Sequence, residues 1–102
     1  MTEFRKVYGV ALFNKGYYHT DVLKELRQKG YDLSYHALLM RLMRGTPDTE
    51  FTEALSSIIG LPHAYIHELS LVAYNNWKDK RNALRRSRRK NLVRSGATGN
   101  SG

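Results

Sequence analysis

Four glycines divide the first two-thirds of the chain into intervals of nearly equal length. Gly16, Gly30, Gly45 and Gly60 are separated by 14, 15 and 15 residues. Because a glycine just after a helix accepts the left-handed conformation that closes the last turn, each one is a predicted helix stop. Each interval has room for one helix and its connection, and is shorter than the roughly 20–50 residues of solenoid repeats. The spacing therefore predicts a compact helical bundle.

Within these intervals the apolar residues recur at the helical period of three to four positions. The predicted inward stripes are Phe4, Val7, Tyr8, Ala11 and Leu12; Val22, Leu23 and Leu26; Leu39 and Leu42, flanked by Leu38 and Met43; Phe51, Ala54, Leu55, Ile58 and Ile59; and Tyr65, Ile66, Leu69 and Val72. No stretch shows the two-residue alternation of a strand. The sequence therefore predicts an all-α domain, a compact bundle of five to six helices over residues 1–77.

Hydroxyl side chains stand where three of these helices should begin. Thr20, Ser34 and Thr46 are the predicted N-caps of the second, third and fourth helices, because their side-chain oxygens can accept a hydrogen bond from the first turn. Pro47 is the predicted first residue of the fourth helix, a position that needs no amide hydrogen. The third helix is predicted over residues 35–44.

The positive charge is concentrated in one segment of the chain. The net charge is +8, and residues 1–77 contain as many acidic as basic side chains, whereas residues 78–94 contain nine basic residues and only Asp79 as an acid. We call residues 78–94 the basic arm; it either continues the fifth helix or orders only on binding. Residues 95–102 have no apolar anchor and are predicted to be a disordered tail. This distribution favours a polyanionic partner, with nucleic acid first.

Other functional classes are not indicated by the sequence. The chain has no cysteine, which excludes a disulfide scaffold and thiol catalysis. His63 and His67 have a spacing that can hold a metal, but the pattern offers no third ligand beside them, so no metal site is predicted. No phosphate-binding glycine loop or nucleophile–base pattern occurs. We expect no enzyme activity, no cofactor and no small-molecule ligand.

The chain also carries no sequence signal for a membrane. No apolar run approaches the ~18 residues that a membrane-crossing helix needs. The N-terminal residues do not have the apolar region of a signal peptide. We therefore expect no membrane partner and a cytoplasmic, nucleoid-associated location.

The order of elements in residues 20–45 (TDVLKELRQKGYDLSYHALLMRLMRG) is a helix, a glycine turn, a capping serine and a second short helix. This resembles the helix-turn-helix of the lambda-repressor/Cro-like family. In that family, too, an arginine–glycine pair (here Arg44 and Gly45) ends the recognition helix. A proline-started helix follows, and an apolar–glycine–apolar step at 59–61 leads into a fifth helix. The resemblance covers residues 4–72, although the turn is longer and the third helix more apolar than is usual in the family.

The resemblance implies a small transcriptional regulator, a repressor of the kind carried by phages and mobile elements, that binds double-stranded DNA sequence-specifically. Its third helix would enter the major groove. The candidate DNA contacts on this helix are Ser34, Tyr35, His36, Met40, Arg41 and Arg44. The candidate phosphate contacts in the basic arm are Lys78, Lys80, Arg81, Arg85, Arg86, Arg88, Arg89 and Lys90.

So small a DNA-binding unit gains affinity by pairing two half-sites, so we expect a homodimer. The candidate interface is on the fifth helix, at Leu71, Tyr74 and Trp77. Arg41 and Arg44, one turn apart on the third helix, could bind guanine or a phosphate; the alternative is that they pair with Glu50 and Glu53 across a turn.

Two other functions remain open. The basic arm resembles, in composition, the arginine-rich RNA-binding helices of phage antiterminators. Alternatively, the apolar third helix serves as a protein-interaction surface. An exposed Met40 within an apolar patch would favour protein interaction, whereas Arg41 and Arg44 aligned with the basic arm would favour DNA.

Overall fold

The computed structural model describes the backbone of residues 2–101 and the side chains of residues 2–88. In this part of the chain the protein is compact and all-α, which confirms the predicted fold class. Its five helices are α1 (Glu3–Lys15), α2 (His19–Gln28), α3 (Tyr35–Arg44), α4 (Thr49–Ile59) and α5 (His63–Ser101). Over the same residues there is no strand. None of the helices described is both long and apolar enough to span a lipid bilayer. The predicted tail, 95–102, lies beyond the described side chains and stays a prediction.

The four evenly spaced glycines end helices, as predicted. Gly16, Gly45 and Gly60 are the C-caps of α1, α3 and α4, and Gly30 directly follows Lys29, the C-cap of α2. All four glycines have positive φ values, between 72° and 98°. The glycine spacing therefore located the end of every helix in the bundle except α5.

The prediction of Thr20 as the N-cap of α2 is wrong. The helix begins at His19, two residues before the start that a cap at Thr20 implies, and Thr20 is an exposed residue inside its first turn. The N-cap is Tyr18, whose backbone N–H donates a hydrogen bond to the Asp21 carboxylate at 2.8 Å. A carboxylate at the third helical position reaches back to the N-cap amide, and it also suits the positive end of the helix dipole.

The predicted start of α4 at Thr46 and Pro47 is also wrong. The helix begins at Thr49, and its N-cap is Asp48, whose carboxylate accepts a hydrogen bond from the Phe51 N–H at 3.2 Å. The Thr46 hydroxyl instead accepts a hydrogen bond from the Asp48 N–H at 3.1 Å. Thr46 thus shapes the connection between α3 and α4 and does not cap the helix.

A single core forms where the five helices meet. Its buried apolar residues are Phe4, Tyr8, Leu12, Val22, Leu23, Leu26, Leu38, Leu42, Phe51, Leu55, Ile58, Ile59, Ile66 and Ala73. The predicted stripes of α1, α2 and α4 account for most of this set. Among the remaining predicted residues, Val7, Ala11, Leu39, Ala54 and Leu69 are half-buried and pack against the core.

The inward face of α5 differs from the predicted one. Tyr65 and Val72 are 45% and 53% exposed, and the buried residues are Ile66, Ser70 and Ala73. These three lie four and three positions apart, so they form a helical stripe of their own. The stripe is narrow, and Ser70 and Ala73 have small side chains, because the end of another helix approaches α5 very closely at this point.

That close approach is made by Gly45, at the end of α3. An ideal Cβ atom built on Gly45 would lie 2.3 Å from the Ser70 carbonyl oxygen and 2.8 Å from the Ala73 Cβ. The next residue, Thr46, donates its backbone N–H to the Ser70 Oγ at 2.8 Å, and Ser70 Oγ donates to the Thr46 carbonyl oxygen, also at 2.8 Å. The hydroxyl of a buried serine thus satisfies both backbone polar groups of a buried threonine, which joins α3 to α5.

We expect Gly45→Ala to destabilise the protein far more than Gly60→Ala. Both glycines have φ near 77°. Gly60, with ψ 31°, is in the left-handed helical region, which costs an L-residue roughly 1–2 kcal/mol, whereas Gly45, with ψ 177°, is in a region that is essentially restricted to glycine and costs about 1–3 kcal/mol. Only Gly45 also has backbone atoms within 3 Å of the added methyl, so its substitution should lower the free energy of unfolding by about 3 kcal/mol or more. Urea unfolding of the two variants and wild type measures this difference. Equal losses would show that the α3–α5 approach relaxes without cost.

Candidate nucleic-acid interface

The connection between α2 and α3, residues 29–34, is fastened to the domain. The Nε and Nη2 atoms of Arg27 donate hydrogen bonds to the Leu33 carbonyl oxygen at 3.2 and 3.1 Å. The ring of Tyr31 packs edge-on against Phe51, with 5.8 Å between the ring centroids. The long turn therefore has a defined course from α2 into α3.

The first turn of α3 places two candidate contact residues on the surface. Ser34 is the N-cap, as predicted, and its Oγ accepts a hydrogen bond from the Ala37 N–H at 3.0 Å. The helix spans Tyr35–Arg44, the range predicted from the sequence. Tyr35 and His36 are both exposed. Their side chains are accessible at the N-terminal end of the helix.

The outer face of α3 is apolar. Leu38 and Leu42 are fully buried, whereas Leu39, predicted to point inward, is half-buried. Met43, predicted to flank the core, is 58% exposed, and Met40 is half-buried. Because the two fully buried leucines lie four positions apart, the helix is rotated by about one residue from the predicted orientation. This rotation turns Met43 outward.

Arg41 is directed toward α4. Its guanidinium carbon lies 4.6 Å from the centroid of the Phe51 ring, and its Nη1 lies 3.7 Å from an Asp48 carboxylate oxygen. The carboxylate that it faces is therefore Asp48, and not Glu50 or Glu53 as the alternative interpretation of the sequence proposed. A cation held against an aromatic face keeps a defined position at little entropic cost.

Arg44 brings the end of α3 to the beginning of the basic arm. Its guanidinium carbon lies 5.1 Å from the centroid of the Trp77 ring, and that of Arg81 lies 4.7 Å from the same centroid. The ammonium nitrogen of Lys78 lies 6.0 Å from the ring of Tyr74, which neighbours Trp77 at 5.8 Å. Cationic side chains of two helices thus gather around one pair of aromatic rings.

The basic arm continues α5 without a break at Asn75 and Asn76. Lys78, Arg81, Arg85 and Arg88 follow one another at intervals of three, four and three residues, which places them on one face of the helix. We call these four residues the basic stripe. They span about 15 Å at 1.5 Å per residue.

Two other candidates of the arm, Lys80 and Arg86, lie off the stripe. Helical spacing places them on other faces of α5. Lys80 lines a separate open groove of about 670 Å³ together with Arg5, Leu39 and Met43. The side chains of Arg89 and Lys90 are outside the described residues. The basic residues of the arm whose side chains are described thus divide into a stripe next to Arg44 and two residues on other faces.

A histidine cluster joins α1 and α2 beside the start of α3. The hydroxyl of Tyr8 lies 3.1 Å from His19 Nδ1, and Arg5 Nη2 lies 3.3 Å from His19 Nε2. The rings of Tyr8 and His19 stack at 5.5 Å, and Tyr35 meets His19 edge-on at 6.4 Å. No pattern in the sequence indicates this cluster, because its members come from three different helices.

Burial and the neighbouring arginine shift pKa values in this cluster. Desolvation by burial, and then the charge of Arg5, lower the pKa of His19. Burial also raises the pKa of Tyr8. A neutral imidazole that accepts from the Arg5 guanidinium at Nε2 carries its proton on Nδ1, facing the oxygen of Tyr8.

His63 and His67 meet at a buried hydroxyl. Thr52 Oγ1 lies 3.1 Å from His63 Nε2 and 2.9 Å from His67 Nδ1. The same hydroxyl donates to the Thr49 carbonyl oxygen at 3.0 Å, so both imidazoles can donate to it. The two histidines thereby tie α5 to α4. In the part of the chain that the structure describes, no group of three or more side chains is arranged to hold a metal ion.

No protein-family model, no curated protein and no solved structure matches this chain. The functional inference therefore depends on the surface formed by α3 and α5.

We expect the histidine cluster to make the stability of the protein pH-dependent. Because the pKa of His19 is lowered in the folded state from its ordinary value of about 6.5, its contribution is complete above pH 6.5. As the pH falls below 6.5, the unfolded chain binds the proton first and the free energy of unfolding decreases. Thermal unfolding at pH 7.5 and pH 5 should show a smaller loss for His19→Gln than for wild type.

The control for this prediction is His36→Gln, which removes an exposed histidine from α3. It should retain the pH dependence of wild type. If His19→Gln also retains it, the pH dependence arises from other groups and the cluster has no role in it.

Proposed function

We propose that this protein is a double-stranded DNA-binding transcriptional regulator that holds the phosphate backbone with one positive surface shared by α3 and α5. The observation that carries this proposal is the stacking of Arg44 and Arg81 on the same indole ring, that of Trp77. Through this contact the end of α3 and the basic stripe form a continuous surface. An arginine of α3 that is aligned with the basic arm is the arrangement we expect of a DNA-binding protein.

In this proposal α2 and α3 act as a helix-turn-helix. The first helix braces the second, and α3 enters the major groove. Tyr35 and His36, exposed in its first turn, are the side chains placed to meet base edges. Ser34 and the free amides that follow it at the helix start are suited to a phosphate. The apolar outer face of α3, with Met43 at its centre, offers contact with thymine methyl groups.

The basic stripe supplies most of the affinity. Its side chains are exposed or half-buried and repeat about once per helical turn, so the helix can follow one edge of a groove with a cation at each turn. Asp79, the acid of this segment, is on another face of α5 by its spacing. If Arg44 and Arg81, which share the ring of Trp77, neutralise one phosphate together and Lys78, Arg85 and Arg88 neutralise one each, log K should fall with log salt with a slope of about −3.6.

A homodimer remains part of the proposal, since two copies would place two recognition helices on successive turns of DNA. Of the three residues predicted for its interface, Tyr74 and Trp77 already contact cationic side chains of their own chain. Leu71 is the remaining predicted contact.

One observation favours DNA over the protein-interaction function: Arg44 is aligned with the basic arm. Met40 is half-buried, but Met43 is 58% exposed on the apolar outer face of α3, so that face is still available for the protein-interaction alternative. An arginine-rich helix is equally suited to a folded RNA, so RNA must be compared directly with duplex DNA.

The test is fluorescence anisotropy with a labelled duplex of random sequence, measured over a salt series. The double variant Arg85→Gln/Arg88→Gln removes two charges from the stripe. We expect the salt slope to decrease by about 1.8 and the affinity to fall at least tenfold at low salt, because two phosphate contacts are lost.

The matched control is Lys80→Gln/Arg86→Gln, which removes the same charge from other faces of the same helix. It should weaken duplex binding much less than the stripe variant. Equal losses in the two variants would mean that net charge, and not the stripe, determines binding. Tighter binding to a structured RNA than to the duplex would overturn the DNA proposal in favour of the RNA alternative.

A further inference from the structure

A small open cleft lies where the end of α3 meets α5. Its volume is about 290 Å³, enough to admit a phosphate group. We call it the arginine cleft, because three of its lining side chains are arginines. The lining residues are Arg41, Arg44, Gly45, Thr46, Tyr74, Trp77 and Arg81.

The hydrogen-bond donors that remain free in the arginine cleft are guanidinium groups. The backbone N–H of Gly45 donates to the Arg41 carbonyl oxygen at 2.8 Å, and that of Thr46 donates to Ser70 Oγ at 2.8 Å. By contrast, Arg41 Nη1 and Arg81 Nε are buried and have no hydrogen-bond partner. A buried donor without an acceptor destabilises the protein, and more so when the group is charged, so an acceptor entering the cleft would relieve this cost.

The charges around the cleft are balanced by protein groups only in part. Its lining includes three arginines and no acidic residue. The nearest acidic partner recorded for them is Asp48, 3.7 Å from Arg41 Nη1, which is too far for a hydrogen bond. Like charges repel when they are brought together in a partly desolvated site. An anion bound between the guanidinium groups would be attracted to each of them and offset this repulsion.

Aromatic rings keep the guanidinium groups in place without using their N–H donors. Phe51 holds Arg41, and Trp77 holds both Arg44 and Arg81, by their ring faces. A stacked guanidinium still presents its N–H groups in the ring plane, where they can form paired hydrogen bonds to the oxygens of a phosphate. The cleft therefore has charge, free donors and a fixed geometry before any ligand arrives.

We propose that the arginine cleft binds a single phosphate group, held by the guanidinium groups of Arg41, Arg44 and Arg81. The proposal rests on the proposed function for the source of that phosphate, which we take to be the backbone of duplex DNA. Free phosphate has the same chemistry and serves as the probe. Binding there would fix one phosphate at the junction of α3 and α5 and so set the register of both helices on the duplex.

Trp77 makes this site directly observable, because it is the single tryptophan of the chain. Inorganic phosphate is titrated into the full chain at pH 7.5 and constant ionic strength, with chloride as the reference anion. We expect a saturable change in tryptophan emission with phosphate and none with chloride. Phosphate should also raise the Tm, since a ligand that binds only the folded state stabilises it.

The variant Arg81→Gln tests the cleft, and Lys24→Gln, on the exposed surface of α2, removes the same charge elsewhere. Losing one charge-assisted pair of hydrogen bonds should raise the Kd for phosphate by roughly tenfold or more in Arg81→Gln. Lys24→Gln should keep the wild-type Kd within about twofold, because a distant exposed charge is screened. Equal effects of the two substitutions would overturn the proposal, as would a wild-type protein whose emission and Tm do not respond to phosphate.

A second titration identifies the source of the phosphate. A short unlabelled duplex should produce the same emission change as phosphate and should displace it. If phosphate binds but the duplex does not displace it, the assignment of the cleft to DNA is wrong. If the duplex binds in anisotropy measurements, but neither phosphate nor the duplex changes Trp77 emission and phosphate does not raise the Tm, the cleft proposal fails. The DNA-binding proposal then stands.

Discussion

The contact between the end of α3 and α5 determines where the functional surface forms. Gly45 lies against the backbone of α5 because it has no side chain, and Thr46 then exchanges two hydrogen bonds with Ser70. Two turns along α5 from Ser70, Trp77 comes opposite Arg44, the residue before that glycine. A larger residue at position 45 would push α3 away from α5 and separate the arginine from the indole. Backbone packing in the bundle thus sets the position of a surface charge.

The ends of the helices could be predicted from the sequence, because glycine readily adopts the positive φ that ends a helix. The starts of two helices could not be predicted correctly. Thr20 and Asp21 are both able to cap, and the carboxylate reaches the N-cap amide from inside the helix. At the start of α4, Asp48 is the cap, the Thr46 hydroxyl accepts from the Asp48 N–H, and the backbone of Thr46 is held by Ser70 of α5. Because Ser70 lies 24 positions away, a local pattern could not have shown how the backbone of Thr46 is placed.

Two features could not be predicted from the sequence, for related reasons: the inward face of α5 and the contact between α3 and the basic arm. Periodicity gives weight to large apolar side chains, whereas the close approach of α3 selects small ones, Ser70 and Ala73. The charge of the basic arm was evident from composition. That Arg44 and Arg81 share the ring of Trp77 could not be inferred, because this contact depends on how two helices cross.

On the proposed function, the distribution of side chains on α3 separates affinity from sequence recognition. Its arginines are turned toward α4 and α5 and stacked on aromatic rings, while Met43 occupies the outer face. Stacked guanidinium groups lose little freedom when they meet a phosphate, so on the proposed function they fix the position of the duplex rather than merely attract it. Base recognition is then left to Tyr35 and His36, which stand at the end of α3 away from these arginines. A protein built in this way would bind many sequences tightly and distinguish them by few contacts.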